Sequence, residues 1–255
     1  MTFQKIEPER IADSIRRQIE LLILRGILRP GERLPSERDL AAQLAVSRPS
    51  LREALAQLEQ AGLVETRAGS GAFVADVLGS AFAPPLVRLF STHSEALFDY
   101  LAFRRDLEGL AAARAAAQAS ETDLKVITAI FRKREAAHES RSPREEAALD
   151  ADVHMAIVEA SHNVVMLHMM RSMFELLKAG VFYNRQTLFA MRTTRRDLLN
   201  QHRAIHDALL ARDPDASRAA VEAHLGFIEA EMRDQLRLTR NEETAQLRYS
   251  HEQGR

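Results

Sequence analysis

Residues 34–64 read LPSERDLAAQLAVSRPSLREALAQLEQAGLV, and this stretch decides the fold of the first part of the chain. It predicts a short helix over 36–44, because a serine can cap its start, followed by a brief turn. A second helix is predicted over 49–61, with a proline in its first turn, where the missing N–H costs little, and a glycine after its end.

The flanking segments extend this pattern on both sides. A first helix is predicted from about Pro8, on helically spaced apolar residues at 11, 15, 19 and 22. Two short strands, 63–67 and 71–74, flank the turn 68–70 and predict a hairpin. Helix, short helix, turn, helix and hairpin in this order are typical of a winged helix-turn-helix, so we expect this part of the chain to bind DNA.

In that arrangement the first residues of the second helix of the pair meet base edges in the major groove. Arginine can contact guanine with two hydrogen bonds, and serine can bond base or phosphate. A glycine at the wing tip lets the backbone approach DNA closely. The candidates are Ser47, Arg48, Ser50, Arg52 and Gly69. The alternative is that these arginines belong to a solvated helical face shared with neighbouring carboxylates.

Charge adds a constraint on DNA binding. Residues 1–75 contain eleven Lys/Arg and ten Asp/Glu, so this region is not a basic patch overall. We therefore expect modest nonspecific affinity and dependence on base contacts and on two copies of the reader in a homodimer.

The rest of the chain is predicted to be helical. Two prolines and a glycine mark 76–85 as a linker after the winged domain over 1–75. Every segment of 86–240 has helical periodicity, which predicts a mainly α protein with a C-terminal helical bundle. We expect this bundle to be the effector-binding and dimerisation domain, as the family resemblance described below implies. Its helices are expected at 94–118, 121–139, 144–160, 164–190, 194–212 and 214–240. The polar residues 241–255 are expected to be a flexible tail.

Composition excludes several other classes. The chain has no cysteine, which rules out disulfides, thiolate metal sites and cysteine nucleophiles and fits a reducing cytoplasm. We find no apolar run long enough for a membrane span and no signal peptide at the start. The expected location is cytoplasmic and associated with the nucleoid.

A candidate metal site lies in the helical part. Asp150 and His154 are four residues apart and therefore neighbours on one helix face. His202 and His224 each fall within an apolar stripe that should face the bundle interior. Imidazole and carboxylate groups are good ligands for zinc and similar ions. Each histidine could instead be a hydrogen-bonded core residue, and His206 could replace one of the ligands.

Arg104 also lies on an apolar stripe, with leucines at 97, 101 and 107. A buried arginine needs an anionic partner. Glu108, four residues on, is one candidate partner. The other is the carboxylate of a ligand bound in the same cavity as the metal.

Segments 34–41, 46–55 and 58–64 resemble the GntR family of bacterial transcription regulators. The resemblance covers nearly the whole N-terminal domain and implies binding to double-stranded palindromic operator DNA. Positions that match the family's DNA contacts are Arg38, Arg48, Ser50, Arg52 and Gly69.

Segments 104–112, 150–154, 160–163, 201–202 and 223–225 look like the FCD effector domain of the FadR-type branch of that family. This resemblance implies an all-helical bundle that binds a divalent metal, with zinc expected and nickel or manganese as alternatives. The ligand pattern falls on Asp150, His154, His202 and His224, and it leaves His206 out.

Segments 85–91 and 161–168 are similar to regulators of pyruvate dehydrogenase, lactate and glycolate genes. We therefore expect a repressor, not an enzyme, that responds to a small carboxylate such as glycolate, lactate or pyruvate. Two other hypotheses stay open at this point. One is a metal-dependent enzyme, and the other is an architectural DNA-binding protein with a purely structural bundle.

Overall fold

The computed structural model describes residues 10–76, 83–140, 142–178 and 192–253. The chain divides into two compact units, Met1–Ala81 and Phe82–Arg255. The first contains three helices and a two-stranded antiparallel sheet, and the described residues of the second form helices. This confirms the predicted mainly α class, with a winged helix-turn-helix followed by a helical domain.

The elements of the first unit follow the predicted order. They are α1 (Ile11–Leu24), α2 (Glu37–Gln43), α3 (Arg48–Gln60), β1 (Val64–Arg67) and β2 (Gly71–Val74). Ser36 caps α2, since its hydroxyl accepts the N–H of Asp39 at 3.2 Å, and Ser47 caps α3 by accepting the N–H of Ser50 at 3.3 Å. These caps explain why the two helices begin at their predicted positions.

One side of α3 anchors this unit. Leu51, Ala54 and Leu58 are completely buried and belong to one apolar cluster with Ile15 and Ile19 of α1. The residues between them on the opposite side of α3 are exposed, so the helix has one face in the core and one free to meet a partner.

Strands β1 and β2 pair from Val64 opposite Val74 to Arg67 opposite Gly71. Gly69 has a φ of +71°, a conformation that glycine adopts without the steric cost a Cβ would bring. The chain before α2 adds to the hairpin, because the N–H of Leu34 donates to the carbonyl of Ala72 at 2.9 Å. The predicted hairpin thus forms the wing, and the segment before α2 is hydrogen-bonded to one of its strands.

The second unit contains seven described helices. They are α4 (Pro84–Thr92), α5 (Ser94–Gln118), α6 (Glu121–Ser140), α7 (Pro143–Ala160), α8 (Val164–Lys178), α9 (Arg192–Leu210) and α10 (Pro214–Gln253). Helices α5 and α10 approach closely at Gly109, where an added Cβ would lie 3.2 Å from the Glu222 side chain. Within the described residues, no helix is long and apolar enough to cross a membrane.

Helix boundaries differ from the predictions at two places, and one predicted boundary cannot be compared. Helix α4 starts inside the predicted linker 76–85, because Pro84 and Pro85 occupy a first helical turn instead of breaking a helix. The helix predicted over 164–190 is described to Lys178, and its remainder lies outside the described residues.

The second difference concerns the C-terminus. Helix α10 continues to Gln253, whereas we expected it to end near 240 and to be followed by a flexible tail. Residues 227–253 contain neither glycine nor proline. Side-chain hydrogen bonds four residues apart, from Gln246 to Glu242 and from Gln253 to Tyr249, support helix on this mostly polar segment.

Candidate metal centre and nucleic-acid interface

Three helices of the second unit bring the four predicted metal ligands together. Helix α7 contributes Asp150 and His154, α9 contributes His202 and α10 contributes His224. All four residues are buried, and one ligand atom from each lies within 4.8 Å of the others. The described residues thus contain a group that can hold a metal ion, built from the four predicted positions.

Each histidine is held through Nδ1. His202 Nδ1 lies 2.8 Å from the carbonyl oxygen of Leu198, and His224 Nδ1 lies 2.9 Å from Oε1 of Gln201. His154 Nδ1 lies 2.5 Å from Oε2 of Glu108. A carbonyl or carboxylate oxygen can only accept, so Nδ1 carries the proton in each ring, and Nε2 keeps its lone pair.

The three Nε2 atoms point towards one another and towards Asp150. His154 Nε2 lies 3.2 Å from His224 Nε2, and His202 Nε2 lies 3.2 Å from Oδ1 of Asp150. Unprotonated nitrogens and a carboxylate oxygen at such separations repel one another, and a cation held by their lone pairs removes that repulsion. Nitrogen and oxygen donors in this number suit zinc and related divalent ions. The residues present therefore fit a metal.

Burial favours the neutral form of His202 and of His154. Desolvation lowers the pKa of His202 well below its ordinary value, and the positive charge of Arg134 lowers it further. The pKa of His154 is also lowered, by burial first, although Glu108 partly opposes the shift. Neutral imidazole is the form that binds metals. Near neutral pH these two rings therefore carry no second proton that would compete with a metal for Nε2.

Arg104 is buried beside this group. Its Nε lies 2.6 Å from Oε1 of Glu108, and its guanidinium carbon lies 4.9 Å from the centre of the Phe174 ring. The structure thus shows that the predicted partner four residues away is engaged. Burial raises the pKa of Glu108, but Arg104 and His154 outweigh it and bring that pKa to about 2. Glu108 is therefore ionised.

A second buried arginine was missing from the sequence analysis. Arg134 of α6 has an exposure of 1%, and its Nη2 lies 3.4 Å from Oδ1 of Asp150. Burial lowers its pKa, against the opposing charge of Glu146, to about 10, so it stays protonated at neutral pH. Arg134 continues the buried stripe of Ile127 and Phe131, the same signal that singled out Arg104. Gln201, which orients His224, carried no such signal.

Charges in the centre balance. Arg104 and Arg134 are positive, Glu108 and Asp150 are negative, and all four are at most 2% exposed. A divalent ion would add two positive charges to this neutral set in a region with little water. Such a site favours an anionic ligand, because buried charge needs compensation.

The predicted DNA contacts lie on the first unit. Arg38 and Arg52 have 82% and 62% exposed side chains, and Arg48 and Gly69 are also exposed. Ser47 and Ser50 share a 2.8 Å hydrogen bond at the start of α3, so both take part in its cap. That these residues contact DNA stays a prediction.

Arg52 also forms an ion pair that the sequence pattern did not predict. Arg52 Nε lies 2.7 Å from Oε2 of Glu37, across the turn between α2 and α3. Fifteen residues separate the two positions, so helical spacing could not have revealed the pair.

Comparisons with known proteins agree with both units. Residues 11–74 match the model of bacterial regulatory proteins of the gntR family, and residues 99–227 match the FCD domain. The FCD match covers half of the chain. The protein belongs to the GntR family and carries an FCD domain.

Its relatives are transcription regulators, not enzymes. An Escherichia coli (strain K12) protein described as a regulator of the L-lactate dehydrogenase operon is 36% identical over 89% of this chain and 88% of its own length. The Glc operon transcriptional activator of the same strain is 35% identical over 90% and 92%. Among solved structures, a Streptococcus agalactiae GntR protein has a TM-score of 0.52 at 23% identity, covering 86% of this chain and 99% of its own, which shows the shared fold.

Proposed function

We propose that this protein is a homodimeric repressor whose binding to a palindromic operator is controlled by a small carboxylate held at a metal in the helical unit. The metal ligands are Asp150, His154, His202 and His224, and the effector is glycolate, lactate or pyruvate. The single observation that carries the proposal is the convergence of three Nε2 lone pairs and one carboxylate beside two buried arginines.

The residues of the centre suit an acid of this kind. When bound, a divalent metal offers open coordination positions to carboxylate and hydroxyl or keto oxygens. Glu108 contacts both Arg104 and the ligand His154, so Arg104 lies near the metal ligands. Its guanidinium can neutralise the carboxylate of a bound acid by a charge-assisted hydrogen bond. Arg134 adds a second positive charge next to Asp150. Relatives whose names mention lactate and Glc operons support the choice of acids tested.

DNA reading is assigned to Arg38, Ser47, Arg48, Ser50, Arg52 and Gly69. Residues 1–75 are nearly neutral, so attraction to phosphate contributes little to the DNA affinity of a single domain. This supports a dimer in which two DNA-binding domains are held at a fixed spacing. For the acid to control DNA binding, it must bind one arrangement of the dimer more tightly than the other.

The test starts with selection of bound sites from a random DNA library. Fluorescence anisotropy then measures operator affinity for metal-loaded protein with glycolate, L-lactate or pyruvate. We expect one of these acids to weaken operator binding at least tenfold. An acid that strengthens binding would identify an activator mode instead, whereas no response to any of the three would contradict control by a small carboxylate.

One variant and a control test whether Arg104 is needed for the response to the acid. Arg104→Met should lose the response to the acid and keep operator binding. Arg25→Ala, which removes an exposed arginine from the end of α1, should behave as the wild type in both assays.

A further inference from the structure

Glu108 joins the two parts of the proposed effector site. One oxygen, Oε1, lies 2.6 Å from Arg104 Nε, and the other, Oε2, lies 2.5 Å from His154 Nδ1. Its exposure is 2%, so the carboxylate is compensated by these two groups and not by water. One buried side chain thus holds a metal ligand with one oxygen and the nearby arginine with the other.

His154 differs from the other two histidines in its Nδ1 partner. His202 faces a peptide carbonyl and His224 an amide oxygen, both of which are neutral. A carboxylate accepts the Nδ1 proton more strongly than either and makes Nε2 a more basic ligand. Outer-shell carboxylates of this kind also fix the ring orientation and the tautomer.

We infer that Glu108 is a positioning residue that holds His154 in its metal-binding tautomer and couples Arg104 to the metal. The inference rests on the function proposed above and adds a mechanism to it. An acid that draws Arg104 towards itself leaves more of the Glu108 charge to His154, which strengthens Nε2 as a ligand. Metal and acid therefore bind with positive coupling, and each raises the affinity of the other by the same factor.

The first measurement needs no metal. Long-range ¹H–¹⁵N NMR on metal-free protein with labelled histidine reports which ring nitrogen of His154 carries the proton. We expect Nδ1–H in the wild type and a detectable fraction of Nε2–H in Glu108→Gln, because the amide group can also donate to the ring. The matched control is Glu229→Gln, which removes ion pairs with Arg105 and Arg233.

The second measurement is zinc affinity by competition with a chromophoric chelator. Glu108→Gln should lower the affinity about 10- to 100-fold, as outer-shell substitutions do, and Glu229→Gln should stay within twofold of the wild type. Adding the acid should raise zinc affinity in the wild type, and by a smaller factor in Glu108→Gln, because that variant lacks the link between Arg104 and His154.

A second variant guards against misfolding, because Glu108→Gln leaves Arg104 buried without its carboxylate. Arg104→Met/Glu108→Gln removes both charges. If Glu108 acts on His154, the double variant still shows the Nε2–H fraction and weak zinc binding. If Glu108 serves only to neutralise Arg104, the double variant recovers wild-type zinc affinity, which overturns the positioning role.

The outcomes separate this inference from the proposed function. A wild-type His154 protonated on Nε2, or a Glu108→Gln variant with unchanged tautomer and zinc affinity, overturns the role of Glu108. A wild type that takes up no zinc, nickel or manganese contradicts the proposed function and the coupling, while the NMR result alone decides the tautomer.

Discussion

The Nε2 atoms of His154 and His224 lie 3.2 Å apart, although seventy residues separate them in the chain. Each ring gives its Nδ1 proton to a different acceptor, so the two facing nitrogens both have lone pairs. Two acceptors at this distance in a dry interior are unfavourable unless a cation lies with them. The pair therefore marks the place where a cation would bind.

Replacement of His202 by alanine should impair metal binding without unfolding the chain. We expect zinc affinity to fall at least about 100-fold, since loss of an outer-shell partner alone costs about 10- to 100-fold. Operator binding without the acid should persist. His206→Ala is the matched control, because His206 lies one turn away on α9 but stacks on Phe131 at 4.7 Å. Equal losses in both variants would argue against the four-residue ligand set.

Arg48→Ala should lower affinity for the selected operator by about 10- to 100-fold, since a good contact to a base edge contributes about 1–3 kcal/mol. Metal content should not change, because Arg48 lies on the first unit. Fluorescence anisotropy and metal analysis of the same preparation provide the two readings. An Arg48→Ala protein with full operator affinity would remove this residue from the DNA interface.

Glu37→Gln should reduce discrimination between operator and random DNA. Glu37 holds Arg52 at 2.7 Å in a fixed direction, and its charge opposes nonspecific attraction to phosphate. We therefore expect nonspecific affinity to rise and operator affinity to rise less or to fall. Anisotropy on both DNAs gives the ratio. If the ratio stays unchanged, Glu37 does not orient Arg52 for DNA reading.

Two glycines should respond in opposite directions to alanine. Gly69 has a φ of +71° with open space around its missing Cβ, so Gly69→Ala should cost about 1 kcal/mol through backbone strain alone. Gly226 also has open space but lies inside α10, where alanine should stabilise by roughly 0.5–1 kcal/mol. Urea unfolding measures both, and a stabilising Gly69→Ala would contradict the wing conformation.

Stability of the metal-free protein should fall as pH drops below about 6.5. His154 and His202 have lowered pKa values in the folded state, so below 6.5 the unfolded chain takes up protons that the folded chain does not. Each such proton costs about 1.4 kcal/mol per pH unit. Below about pH 4.5 the unfolded chain also takes up a proton at Glu108, whose pKa in the folded protein is about 2, and this lowers stability further. Urea unfolding from pH 8 to 4 measures the slope.

The matched control is His202→Ala, which removes one of the two histidines from this balance. Its stability should depend less steeply on pH between about 6 and 5 than that of the wild type. Equal slopes in the two proteins would show that His202 is not held neutral in the folded state.

The sequence by itself determined the local structure and the list of candidate ligands. Some residues affect only the backbone within a few positions of themselves, and their effect can therefore be predicted from the sequence. They are the caps Ser36 and Ser47, the proline in the first turn of α3 and the glycines of the wing. Periodicity likewise showed that Arg104, His202 and His224 face inward. It failed at the C-terminus of α10, where polarity suggested a tail but the helix continues, with side-chain hydrogen bonds from Gln246 to Glu242 and from Gln253 to Tyr249.

Only the tertiary structure decided which inward-facing groups meet. Periodicity gives the face of each helix, but the rotation and height of one helix against another depend on packing along the whole bundle. That packing places Glu108 between Arg104 and His154, sets Arg134 beside Asp150, and leaves His206 against Phe131. Apart from the Arg104–Glu108 pair within α5, these contacts join residues on different helices, and such distances follow from the assembled core and not from spacing in the sequence.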